Sequence, residues 1–142
     1  MLYILDPDHL SLLQNGHPLV LRRLLTVPVK NRFTTVVSLG EQLQGRLAVV
    51  KRAKREIDAA YALSRLQETV HFYQTLPQLA YDEQAAALFE TLRKQKIRIG
   101  TQDLRIASIA LVHEATLVTR NLRDFARVPN LQFVDWSIQM GA

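Results

Sequence analysis

IGTQDLRIASIALVHEATLVTRNLRDFARVPNLQFVDW, residues Ile99 to Trp136, decides how this chain folds. Asp103 opens a predicted helix, Asp103 to Glu114, in which Leu104, Ile106, Ala107, Ile109, Ala110, Leu111 and Val112 leave almost no polar face. A helix apolar nearly all round is a buried one. A short strand, Ala115 to Thr119, follows, and then the polar turn Arg120-Asn121, so that Asp124 emerges just past the strand's C-terminal end. In open α/β sheets that edge is where ligands bind. Asp103 and Asp124 thus stand where folding alone gives no reason for a carboxylate.

Upstream, Leu2 to Leu5 is a continuous apolar run ending on Asp6-Pro7-Asp8, the pattern of a buried strand and a turn. Asp8 can cap a helix from His9 to Gln14, stopped by Asn15-Gly16. Pro18 to Leu25 reads as a second short helix that Val27-Pro28 breaks. Phe33 to Ser38 is β-branched and aromatic and makes the second strand. Ser38 and Glu41 have capping-box spacing, which is the local reading of that acid. The helix beyond carries Leu43, Leu47, Val50 and Ala53 on one face, with Lys51, Arg52, Lys54 and Arg55 at its end, where cations complement the helix dipole. Glu56 to Leu76 repeats apolar residues at helical spacing, among them Ile57, Tyr61, Leu63, Val70 and Tyr73, and should pair antiparallel with its predecessor. Leu76 to Tyr81 has room for a little strand, and Asp82 caps the next helix, to Gln95.

The order β-α-α-β-α-α-(β)-α-α-β-α-β implies an α/β fold, a mainly parallel sheet with helices on both faces. Parallel strands point their C-terminal ends the same way, so Asp6, Glu41 and Asp124 can converge at one edge and Asp103 can join them from a helix N-terminus. Carboxylates so close repel, and a cation is needed to neutralise them. An all-oxygen, carboxylate-rich set suits Mg²⁺ or Mn²⁺. Such ions activate water and stabilise a leaving oxygen at phosphorus. Arg22, Arg23, Lys30, Arg32 and the Lys51 to Arg55 run are candidates for holding a nucleic-acid backbone. Residues alone lead to a metal-dependent phosphoryl hydrolase, with nuclease one form of it.

Composition narrows the classes further. A chain of 142 residues suits a single domain, 1–142, with an ordinary soluble composition and a net charge of +5 that favours polyanions only weakly. With no cysteine there is neither a disulfide framework nor a thiolate metal site. The N-terminus lacks the features of a leader, and no apolar run approaches the roughly 18 residues of a membrane span, so the expected location is cytoplasmic. His9, His17, His71 and His113 show no zinc spacing, and neither a Walker nor a dinucleotide-binding glycine pattern is present. No Gly-x-Ser-x-Gly element supports a serine nucleophile.

The chain resembles the PIN-domain nucleases, and among them the VapC toxins of toxin–antitoxin pairs. Gly100-Thr101-Gln102-Asp103-Leu104-Arg105-Ile106-Ala107, Ala115 to Asn121, Asp124-Phe125, Val128-Pro129 and Asp135-Trp136 carry the resemblance most specifically. Leu5 to Ser11 and Leu39 to Leu43 look like the family's first and second motifs. The resemblance implies that Asp6, Glu41, Asp103 and Asp124 form a Mg²⁺ or Mn²⁺ site and that Thr119 and Asn121 give it polar support. It further implies a dimeric endoribonuclease acting on structured RNA such as transfer RNA and silenced by a cognate antitoxin. Two departures stand out: Pro7-Asp8 replaces the usual Thr-Asn, making Asp8 a fifth acid or a cap, and Gly40 replaces a small apolar residue, which should loosen its helix.

Other readings compete. Asp6-x-Asp8 after a strand also resembles the first motif of haloacid-dehalogenase-type phosphatases, and receiver domains also place acids at strand ends. Both need a lysine near a late strand, and none follows Ala115. A catalytically silent PIN-like module binding RNA or antitoxin is the non-enzymatic alternative; loss of one or more acids would mark it, and all four are present.

Overall fold

The computed structural model describes residues 1–139. Strand β1 (Tyr3–Leu5) leads into helices α1 (Pro7–Gln14) and α2 (Pro18–Leu25), and a single 3₁₀ turn at Val29–Asn31 precedes β2 (Arg32–Thr35). Helices α3 (Val36–Arg52) and α4 (Glu56–Gln74), strand β3 (Gln78–Leu79), helices α5 (Glu83–Lys94) and α6 (Thr101–Val112), strand β4 (Thr116–Val118), helix α7 (Leu122–Phe125) and strand β5 (Gln132–Val134) complete the chain. The five strands form one sheet in the order β3-β2-β1-β4-β5, and every pairing is parallel. This is the architecture expected from the order of elements.

Both faces of the sheet are covered, which is why β1 reads as an unbroken apolar run and β4 is buried throughout. Ile4 and Leu117 lie in a core with Phe89, Leu92, Ile109 and Phe125 from α5, α6 and α7. Leu5 and Val118, pointing the other way, pack with Leu10, Val20, Leu24, Tyr73 and Trp136. Helix α6 is buried along Ile106 to Ala110 without a break, as its composition requires. Full burial of each such aliphatic side chain contributes about 1.5–3 kcal/mol relative to leaving it in water.

Three local expectations are corrected. Asp6, not Asp8, caps α1: its Oδ1 accepts the His9 N–H at 2.8 Å, and Pro7 takes the first helical position, where its missing N–H costs nothing. Strand β2 stops at Thr35, whose hydroxyl accepts from the Ser38 N–H at 3.1 Å and so caps α3 three residues before Ser38 would have. Glu41 is therefore in the second turn of α3, past the capping-box position. Finally, α3 and α4 do pair antiparallel, with Arg46 donating to Thr69 and Tyr73 to Gln42, but the apolar stripe of α4 is largely uncovered. Ile57 and Tyr61 are both 69% exposed, whereas Ala62, Thr69 and Tyr73 are the buried residues.

Candidate active site

Strand β1 is central, and its two neighbours, β2 and β4, are reached by connections leading in opposite directions. The crevice beyond the C-terminal ends of β1 and β4 is thus the switch point of the sheet. Asp6 sits there because its own N–H continues the ladder, donating to Val118 O at 3.1 Å, just where the chain turns into α1. Only 6% of it is exposed. On the β4 side, the buried Thr119 hydroxyl accepts from the Asn121 N–H at 3.0 Å, which fixes the turn before α7. The Asn121 amide then donates to Asp124 Oδ2 at 3.0 Å and to Asp103 Oδ2 at 3.4 Å. One side chain thereby joins the first turns of α6 and α7.

The four sequence-derived acids are electrostatic neighbours. Burial, then the charges of Asp6 and Asp124, push the Asp103 carboxyl up, and the Asn121 hydrogen bond opposes them. Burial, then Asp103 and Asp6, push Glu41 up as well. As placed, no group of three or more such side chains is close enough to hold one ion among the described residues. The donor chemistry nevertheless fits a hard divalent cation: oxygen only, several carboxylates, and mutual repulsion that a cation would relieve. Among the described residues, the arginine that comes within 4 Å of this set is Arg127, whose Nη1 lies 3.9 Å from Asp124 Oδ1 at the exposed rim.

Asp8 joins neither cap nor cluster. Its carboxylate takes both Nε and Nη2 of Arg120, an exposed bidentate pair that ties the start of α1 to the turn after β4. Three of the proposed backbone-binding cations are also committed elsewhere: Arg23 donates to Asp135 O at 3.2 Å and Ile138 O at 2.9 Å, Arg32 donates to Val27 O at 2.8 Å, and Arg55 pairs with Asp58. Their positive charge was legible in the sequence, but their backbone partners were not.

Sequence reasoning gave His9 no place beside the acids and quoted Asp135 only as part of the family resemblance. His9 is completely buried beside Asp6, and Asp135 lies just past β5 with Oδ1 3.4 Å from His9 Nε2. The available signal was a histidine three residues after the first acid, on the inward side of an apolar helix.

No family model matches the chain. Its sequence is 33% identical over 138 residues to Ribonuclease VapC2 of Rickettsia felis, covering 96% of this chain and 98% of that protein. It is 27% identical over 139 residues to Ribonuclease VapC1 of Haemophilus influenzae, covering 96% and 99%. Among solved structures, VapBC2 from Rickettsia felis bound to a promoter DNA fragment superposes with a TM-score of 0.72 at 29% identity, covering 96% of this chain and 99% of that one. VapBC-1 from nontypeable Haemophilus influenzae shares the fold with a TM-score of 0.75 at 24% identity, covering 97% and 100%. With a relative this similar over nearly its whole length, the chain belongs to the VapC family of PIN-domain ribonucleases.

Proposed function

We propose that this chain acts as one domain, a metal-dependent endoribonuclease toxin, and that Asp6, Glu41, Asp103 and Asp124 hold Mg²⁺ or Mn²⁺. The observation that carries the reading is the set of four mutually repelling carboxylates at the switch point, two of them joined by Asn121. A divalent ion bound there would polarise the phosphodiester and lower the pKa of a water nucleophile. The chain's own residues supply orientation. Thr119 holds Asn121, Asn121 holds Asp103 and Asp124, and the α1 cap holds Asp6.

The RNA would approach along the cleft beside Glu41 lined by Gly40, Gln44, Tyr81, Gln102 and Arg105. Arg105 is half-buried there, its guanidinium 5.8 Å from the Tyr81 ring centre, and it forms no ion pair among the described residues. Its Nη1 donates to Gln102 Oε1 at 2.9 Å, and its remaining N–H groups, which make no hydrogen bond among the described residues, are the ones open to a phosphate. Transfer RNA is the first substrate to try. The similar proteins of Rickettsia felis and Haemophilus influenzae were solved as VapBC complexes, one of them on promoter DNA. By that likeness this chain would be neutralised by a cognate antitoxin, would form a homodimer and would work in the cytoplasm. No helix among the described residues is long and apolar enough to cross a membrane.

The test is cleavage of total cellular RNA by purified protein with Mg²⁺, with Mn²⁺ and with chelator, beside Asp6→Asn. Metal-dependent cutting into discrete products that Asp6→Asn abolishes is the expected result. RNA binding that ignores both metal and substitution, with no cutting, would replace the enzyme by a binding module.

A further inference from the structure

His9 is a fully buried imidazole with an incomplete set of partners. Nε2 accepts the Trp136 N–H at 3.2 Å and lies 3.4 Å from Asp135 Oδ1. Among the described residues Nδ1 has no hydrogen-bond partner, and the nearest carboxylate oxygen recorded beside it is Asp6 Oδ1, 3.5 Å away. A buried polar group left unsatisfied loses its hydration with no hydrogen bond in its place, and native structures hold few of them. A leucine at this place in the apolar cluster around Leu5, Leu10 and Trp136 would avoid that cost.

The Trp136 N–H directed at Nε2 favours a hydrogen on Nδ1, whereas Asp135 Oδ1, 3.4 Å from Nε2, favours one on Nε2. The neutral ring that accepts at Nε2 carries its hydrogen on Nδ1, and the doubly protonated ring carries one there too. Only the tautomer protonated at Nε2 alone lacks it, and that form would set N–H against N–H at Trp136 and a lone pair against the Asp6 carboxylate. Asp6 Oδ1 accepts one hydrogen bond from His9, from its backbone N–H at 2.8 Å, and has Nδ1 3.5 Å away, while no hydrogen bond among the described residues reaches Oδ2. The far side of the ring is equally fixed. Trp136 is buried against Tyr3, with ring centres 5.4 Å apart, and Arg23 clamps the carbonyls of Asp135 and Ile138.

We propose that His9 is a positioning residue for the acidic site: Nδ1–H, 3.5 Å from Asp6 Oδ1, keeps that oxygen turned inward by its positive end, leaving Oδ2 for the divalent cation, and the contact of Nε2 with Trp136 braces the ring on the end of β5. The role rests on the reading of Asp6 as a metal ligand. Partners of this kind behind a ligand typically change metal affinity 10–100-fold when lost.

Two substitutions separate the two ends of the ring. His9→Asn keeps a side-chain donor where Nδ1 was and gives up the contact to Trp136. His9→Gln keeps an acceptor for Trp136 and gives up the donor to Asp6. Mn²⁺ affinity of the RNA-free protein, measured by calorimetry alongside melting curves, should stay within about 3-fold of wild type in His9→Asn and weaken about 10-fold or more in His9→Gln. Equal affinities in the two variants, or losses that only follow their melting temperatures, would overturn the role and leave the metal site standing. Absence of Mn²⁺ binding by the wild-type protein would instead overturn the metal reading and this role with it. A second readout needs no substitution: ¹⁵N shifts of the His9 ring should show a proton on Nδ1, and a neutral ring protonated on Nε2 alone would refute the proposal.

Discussion

Two aspartates separated by one proline have opposite environments. Asp6 is buried at the end of β1 against a histidine and two other acids, so its charge interacts in a poorly screened crevice. Asp8 is exposed and paired with Arg120, and exposed pairs of that kind stabilise little. The resemblance left Asp8 open as a fifth acid of the site; the geometry assigns it to a surface link between α1 and the β4–α7 turn. Asp8→Asn is accordingly expected to retain metal-dependent RNA cleavage within about 3-fold and to melt with the wild type, since it removes neither a ligand nor a ligand's partner. On the proposed metal role of Asp6, Asp6→Asn should lose at least about 100-fold in kcat/KM, because removal of a ligand costs more than removal of its partner. Side-by-side initial rates decide the matter: comparable losses in both variants would return Asp8 to the metal site.

Helix α3 carries Glu41 into the crevice on a segment containing two glycines, Gly40 and Gly45. A Cβ at either would meet nothing within 4 Å, and neither has the positive φ that demands glycine, unlike Gly16 at the end of α1. Glycine in a helix interior costs about 0.5–1 kcal/mol relative to alanine. Gly45→Ala lies off the cleft and should raise Tm by about 2–4 °C with the cleavage rate unchanged; a melting curve without that rise would mean α3 is already held by its contacts with α4. Gly40→Ala offers the same gain but narrows the cleft beside Glu41. Local chemistry made some elements legible in full: α2 runs from Pro18 to Leu25 as read, because proline sets its start and Val27-Pro28 follows its end. Where two caps competed, the sequence misled. Thr35 outcompeted Ser38, so the β-branched Val36-Val37 became helix, and α6 began at Thr101, two residues early, from a Gly100 that supplies no side-chain cap. The four acids were legible because each stands out against an apolar element. His9 was not, because its meaning lies in a contact with Trp136, 127 residues away.

Across the whole molecule, a parallel sheet with crossover helices turns helix N-termini toward the same edge as the strand C-termini. Asp6 caps α1, and Asp103 and Asp124 lie in the first turns of α6 and α7, so the positive ends of three helices offset part of the carboxylate repulsion. Glu41, in the second turn of α3, gains least, and both it and Asp103 are held above the ordinary carboxylate range by burial and by their neighbours. A carboxyl whose pKa is raised on folding binds its proton more tightly in the folded chain than in the unfolded one. Its contribution to stability is complete below about pH 4 and is lost as pH rises through the raised value. The metal-free protein should therefore pay at neutral pH for the charges its site gathers, and Asp103→Asn should relieve it. The gap in Tm between that variant and wild type, both in chelator, is expected to be small near pH 4 and to widen toward pH 7 in favour of the variant. Divalent cation should act in the opposite sense at pH 7. Mg²⁺ or Mn²⁺ at about 100 times its Kd would stabilise the wild type by about 2.7 kcal/mol and the variant by much less. A gap that stays constant across the pH range would mean that Asp103 is not strained by its neighbours, and that the site does not trade stability for a cation.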